Sequence, residues 1–223
     1  MTVAVKICGL NSREAAEAAI AAKADFGGLV FFPKSPRHVS LEAARSIAAL
    51  LRGKAQIVTL LVDPKDEDIL QITAAVDPDL IQLHGNEGPA RVAAIAALAA
   101  RPVIKAIAVA EAEDVAAAHA YENAADYLLF DAKANAFATR PGGLGTAFDW
   151  QLLSRSSFRK PWGLAGGLTP NNVARAIRIA APHFVDASSG VEDAPGKKSA
   201  EKIAAFVSAA RNAPYTTAKA GAA

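Results

Sequence analysis

The sequence predicts a single α/β domain of the (β/α)8-barrel class, on three observations. Eight short apolar runs rich in β-branched residues recur along the 223 residues. Ala-rich segments of helical period separate them, and no linker or composition break divides the series. A closed barrel of parallel strands fits this alternation, although a doubly wound open sheet alternates too.

The runs are Val3–Cys8, Phe26–Phe32, Ile57–Asp63, Leu80–His84, Val103–Val109, Tyr127–Asp131, Trp162–Ala165 and Phe184–Ala187. Most are near-continuously apolar, as strands covered on both faces should be. Helical periods predict helices over Ser12–Lys23, Leu41–Leu51, Lys65–Ala75, Pro89–Ala99, Glu111–Tyr121, Pro170–Ala180 and Ser199–Arg211, with a short element near Phe148–Leu153. Asn11 with Glu14 reads as a capping pair, and Pro170 suits a first helical turn after Thr169. The barrel then occupies residues 1–212, and 213–223 form a small, polar, frayed tail.

Composition narrows the function. With 52% hydrophobic residues the chain can bury a large core. The 24 basic and 22 acidic residues leave a net charge of +2, which argues against nucleic acid or an anionic membrane as partner. A lone cysteine, Cys8, excludes an internal disulfide and a multi-cysteine zinc site. Lys6, Arg13 and Glu14 interrupt the first stretch before a secretory signal can form, and no run approaches the roughly 18 apolar residues of a membrane span. The expectation is a cytoplasmic protein, monomer or homodimer, acting on a small molecule.

Barrel enzymes build their sites at the carboxyl ends of the strands. Gly166-Gly167 and Ser188-Ser189-Gly190 follow the last two strands, where phosphate is often held. Glycine lets the backbone approach an anion, and a helix start points free N–H groups at it. A third glycine-rich loop, Pro141–Thr146, is placed to close over a ligand. Cys8 ends the first strand with Lys6 two residues earlier on the same face, where an ammonium favours the thiolate and suits it to proton abstraction. A lone cysteine is also commonly a small buried hydrophobe. Asp131 ends an apolar run, where desolvation raises a carboxyl pKa and suits it to donate a proton; a solvated loop aspartate is the alternative. Arg37 offers a fork for a carboxylate, with a solvated loop arginine as the default alternative. His84 reads either as a substrate contact or as a structural histidine. The remaining histidines show no metal-ligand spacing, so no metal is expected.

Taken in order, Val5–Leu10, Phe32–Arg37, Ile81–Gly85, Leu129–Asp131, Leu164–Leu168, Asp186–Glu192 and Pro195–Lys198 resemble phosphoribosylanthranilate isomerase of tryptophan biosynthesis. The resemblance covers nearly the whole barrel. It implies a cofactor-free Amadori rearrangement of N-(5-phosphoribosyl)anthranilate, with Cys8 as general base, Asp131 as general acid and Arg37 on the anthranilate carboxylate. His84, Gly143, Gly145 and Asp186 would contact substrate. Gly166, Gly167, Ser189 and Gly190 would bind its phosphate. The chain departs from the family pattern at Leu144, which replaces a threonine, and at Ala187, which replaces a valine. Two other readings compete: the histidine-pathway isomerase acting on a related aminoaldose, and a catalytically silent phosphosugar-binding barrel. Cys8 in place of an acidic base and the lack of a half-barrel repeat speak against the first. Retention of both Cys8 and Asp131 speaks against the second.

Overall fold

The computed structural model describes residues 2–133, 147–154 and 156–214. Eight parallel strands close into a barrel in chain order, the last pairing back onto the first. They are β1 (Ala4–Cys8), β2 (Phe26–Phe31), β3 (Gln56–Leu61), β4 (Leu80–Leu83), β5 (Val103–Val109), β6 (Tyr127–Ala132), β7 (Trp162–Leu164) and β8 (Phe184–Ala187). Helices α1 (Arg13–Ala21), α2 (Leu41–Leu51), α3 (Asp66–Val76), α4 (Pro89–Ala99) and α5 (Ala112–Ala117) follow the first five strands. Among the described residues a 3-10 turn, Trp150–Leu153, precedes β7, and α6 (Val173–Ala180) follows it. After β8 a small hairpin, β9 (Glu192–Ala194) and β10 (Lys197–Lys198), leads into α7 (Ala200–Arg211). No helix among the described residues is long and apolar enough to cross a membrane.

Strand side chains alternate between the barrel interior and the helix shell. Val5 and Ile7 point outward into the shell, where both are fully buried; each such side chain contributes about 1.5–3 kcal/mol. Ala4, Lys6 and Cys8 point inward. The lower interior is an apolar plug of Val58, Leu80, Ile104, Ala106, Leu129, Ala165 and Phe184. Phe26 and Tyr127 pack on Phe184 with ring centroids at 5.9 and 6.4 Å. Nearer the mouth Cys8, Val30 and Leu60 form a smaller cluster. The buried charged and amide side chains Lys6, Gln82, Asp131 and Asp186 lie above the apolar plug, toward the carboxyl ends of the strands.

Three local expectations are corrected. Ser12, not the Asn11–Glu14 pair, caps α1, its Oγ accepting from Ala15 N at 3.2 Å. Asn11 instead donates Nδ2 to the Gly196 carbonyl at 2.9 Å, so its side chain serves a loop 185 residues away. The helix expected from Pro170 begins at Val173, because Asn172 clasps the preceding loop. Its Oδ1 accepts from Thr169 N at 2.8 Å and its Nδ2 donates to Gly167 O at 2.9 Å. The segment Glu111–Tyr121 is α5 tightened into a 3-10 turn at Ala118–Tyr121.

Candidate active site

A cavity opens at the carboxyl ends of the strands, and most of the expected site residues line it. Cys8, Arg37, His84, Asp131, Gly166, Gly167, Asp186, Ser189 and Gly190 all face it, together with Val30, Phe32, Leu60 and Val62. Gly143, Leu144 and Gly145 lie outside the described residues, as do 215–223 of the expected tail.

Cys8 ends β1 and is buried. The Lys6 ammonium, expected to serve the thiol, is itself paired with Asp186 Oδ1 at 3.1 Å, and Lys6 is fully buried. Burial pushes the Cys8 thiol above its ordinary range, more than Lys6 and Lys198 draw it down, and Asp186 adds to the rise. Lys6 thus favours the thiolate as expected, but desolvation outweighs the ammonium. Burial opposes the charge on Lys6, but Asp186 and Cys8 outweigh it and hold its ammonium firmly protonated. Asp186 is itself pushed up by burial, against the pull of Lys6 and with a further push from Asp131.

Asp131 stands three strands from Cys8 around the barrel, on β6. Its Oδ1 accepts from Ala132 N at 2.8 Å and its Oδ2 lies 3.2 Å from His84 Nε2. Gln82 Nε2 is 2.9 Å from His84 Nδ1. An amide nitrogen can only donate, so Nδ1 is the acceptor and the neutral ring carries its proton on Nε2, aimed at Asp131. Gln82 is fully buried and its Oε1 has no partner among the described residues.

The two phosphate-loop candidates come together. Gly166 and Gly167 both adopt positive φ, at 82° and 61°, and their N–H groups find no acceptor among the described residues. A Cβ on Gly166 would come within 2.6 Å of Ala132 N, so the loop closes directly behind Asp131. Gly190 approaches the Leu168 carbonyl so closely that any side chain would collide with it. The free N–H groups belong to the loop itself, since the helix start lies further along, at Val173.

Arg37 departs most from a reading as a solvated loop residue. Its side chain is 4% exposed and meets Glu192 in a side-on fork, with Nε to Oε1 at 2.7 Å and Nη2 to Oε2 at 2.8 Å.

Comparison with known proteins gives the family. The model of the N-(5'-phosphoribosyl)anthranilate (PRA) isomerase family matches residues 5–209. The chain belongs to the N-(5'-phosphoribosyl)anthranilate isomerase family. An isomerase of that name from Rhodopseudomonas palustris strain HaA2 is 50% identical over 216 residues, covering 97% of this chain and 99% of its own. The solved phosphoribosyl anthranilate isomerase of Thermotoga maritima superposes with a TM-score of 0.84 at 38% identity, covering 93% and 98% of the two chains. A further isomerase structure, in complex with reduced 1-(o-carboxyphenylamino)-1-deoxyribulose 5-phosphate, gives a TM-score of 0.81 at 37% identity, again covering 93% and 98%.

Within this isomerase fold, four residues near the site escape a reading of the sequence for reactive groups. Gly28 is one: a Cβ there would stand 3.1 Å from Cys8 Sγ and 3.3 Å from Lys6 Nζ, so its bare backbone makes room for both side chains. Only its place in a strand, where glycine is otherwise weakening, signals a close approach. Gln82 is the second, and its position two residues before His84 puts both on the inner face. Glu192 and Lys198 are the others; they reach the site from the hairpin after β8, and although both stand in motifs that carry the resemblance, nothing local ties them to Arg37.

Proposed function

We propose that the chain isomerises N-(5-phosphoribosyl)anthranilate to 1-(o-carboxyphenylamino)-1-deoxyribulose 5-phosphate in tryptophan biosynthesis, with Cys8 as general base and Asp131 as general acid. The observation that carries the residue roles is that Cys8 and Asp131 face one cavity, bordered by two glycine loops and Arg37. The family it belongs to and a relative's complex with a reduced form of that product support the reaction.

Asp131 gives its proton to the furanose ring oxygen, the C1–O bond breaks, and the aniline nitrogen lone pair forms the C1–N iminium. That cation acidifies the C2–H bond. The Cys8 thiolate takes the C2 proton, and the electron pair closes a C1–C2 double bond while neutralising nitrogen. The enolamine then loses its C2 hydroxyl proton and gains one at C1, giving the ketose with no net change in protons. Loops around Gly166, Gly167, Ser189 and Gly190 bind the phosphate, spending binding energy on position away from the reacting carbons. Asp186 faces the opened sugar while it restrains Lys6. This work falls to one catalytic domain, residues 1–212, acting on a small molecule in the cytoplasm.

The test follows phosphoribosylanthranilate fluorescence after adding purified protein. Rapid loss with formation of the ketose is expected; folded protein that leaves the signal unchanged would overturn the assignment. Arg37→Ala should raise KM by about 30-fold or more, the scale of removing one partner of a buried charge pair. Steady-state kinetics showing an unchanged KM would remove Arg37 from the carboxylate site.

A further inference from the structure

The side-on fork between Arg37 and Glu192 leaves a specific part of the guanidinium free. Nε and one Nη2 proton are spent on the carboxylate, at 2.7 and 2.8 Å. The end-on edge, made by Nη1 and the other Nη2 proton, takes no partner among the described residues, and Arg37 lines the cavity. Because a guanidinium is planar, fixing one edge fixes the direction of the other.

Glu192 is itself held from several sides. Its Oε1 accepts from Lys198 Nζ at 2.7 Å and its Oε2 from Gly196 N at 3.2 Å. Lys198 Nζ also reaches Ser188 O at 3.0 Å, and Ser188 Oγ donates to the Cys8 carbonyl at 3.1 Å. The stem of Arg37 is gripped from the other side: a Cβ on Gly9, which has φ +79°, would stand 2.6 Å from Arg37 Cδ. Arg37 and Glu192 are each 4% exposed and Lys198 1%. The cluster thus carries two buried cations against one anion. An isolated buried charge is costly, so one more anion on the cavity side would complete it.

We propose that Glu192 is a positioning and specificity residue: by holding Arg37 side-on, it aims the end-on edge at the ortho-carboxylate of the substrate's aromatic amine. The inference rests on the reaction proposed above. Glu192 touches neither substrate nor the reacting atoms; it acts through Arg37. The substrate carboxylate balances the cluster at two charges of each sign, so an aniline adduct without it leaves a buried cation unpaired. Specificity then comes from the penalty on the wrong substrate as well as the contact with the right one.

The experiment compares two ligands by calorimetry on the full chain: the reduced carboxyphenylamino product analogue and its phenylamino counterpart. Wild-type turnover of phosphoribosylanthranilate is measured alongside. Wild type should prefer the carboxylated ligand, and Glu192→Gln should cut that preference by about 10-fold or more: losing the fixed direction of the Arg37 edge outweighs the extra attraction that Arg37 and Lys198, no longer balanced by Glu192, hold for any anion. A raised preference would make charge balance, not aim, the source of specificity and overturn the proposal. Affinity for the phenylamino ligand should change far less, and in turnover the loss should fall on KM more than on kcat. Glu192→Asp keeps the charge but withdraws it by one methylene, and should move the preference the same way by a smaller factor. Equal weakening for both ligands would make Glu192 a structural tie of the hairpin and overturn the proposal, as would an unchanged preference in both variants. A wild type that turns over no phosphoribosylanthranilate would instead refute the reaction beneath it.

Discussion

Replacing Cys8 with alanine should lower kcat by at least ~100-fold, the usual scale for losing a general base. The change removes one small atom next to Gly28 and leaves the glycine loops and the Arg37–Glu192 fork untouched. KM and the circular-dichroism spectrum should therefore stay near wild type. A folded variant with near-wild-type kcat would remove Cys8 from the mechanism. The direction of the thiol shift adds a second readout. Burial holds the Cys8 thiol above its ordinary range, and the competent form is the thiolate. Because Asp131 must be protonated in the same free enzyme, the rate profile mixes both groups, and the thiol is read directly instead. The ultraviolet absorbance of the thiolate, titrated in wild type against Cys8→Ala, should rise only through and beyond the usual thiol range near 8.5. A rise below that range would mean that Lys6 and Lys198 outweigh desolvation after all.

That result bears on why the base sits over a charged floor. Lys6 is tied to Asp186 at 3.1 Å, and Asp186 in turn faces Asp131 electrostatically. A free lysine beside Cys8 would favour a permanent thiolate in the empty site. The pairing with Asp186 tempers the ammonium, and the deprotonated thiol becomes favourable where a cationic iminium is present to neutralise it.

The fold was legible because both-face burial writes itself into a strand locally. Val103–Val109 and Phe184–Ala187 are apolar along both parities or nearly so, and their observed bounds match the expected ones. The site was legible where function sits at a strand end, as with Cys8 and Asp131. What stayed hidden is pairing between distant residues. Arg37 and Glu192 are 155 positions apart and Lys6 and Asp186 are 180, so no window of sequence contains either pair. The same distance turned Asn11 from an expected cap into a tether for Gly196. Pro170 failed as a helix start for a local reason, the Asn172 clasp, which competes with the first helical turn for the same backbone groups.

Asp131→Asn should lower kcat by at least ~100-fold as well, since an amide N–H is far too weak an acid to protonate the ring oxygen. The shape is kept, so the decisive question is whether the surrounding hydrogen bonds survive. The new amide oxygen can take the place of Oδ1 and accept from Ala132 N, now at 2.8 Å. Its NH2 then faces His84 Nε2, which carries a proton while Gln82 donates to Nδ1. Two donors cannot meet, so His84 must move its proton to Nδ1, and Gln82 must turn its amide to accept it. Gln82 can do so without losing a bond, because its Oε1 has no partner among the described residues and its Nε2 would simply exchange places with it. The variant should therefore fold and bind with KM near wild type while its chemistry fails. Nitrogen NMR of labelled histidine should report the His84 proton on Nε2 in wild type and on Nδ1 in Asp131→Asn. Turnover near wild type in the folded variant would dismiss Asp131 as the acid. An unchanged tautomer with lost turnover would keep the acid and refute the coupling through Gln82.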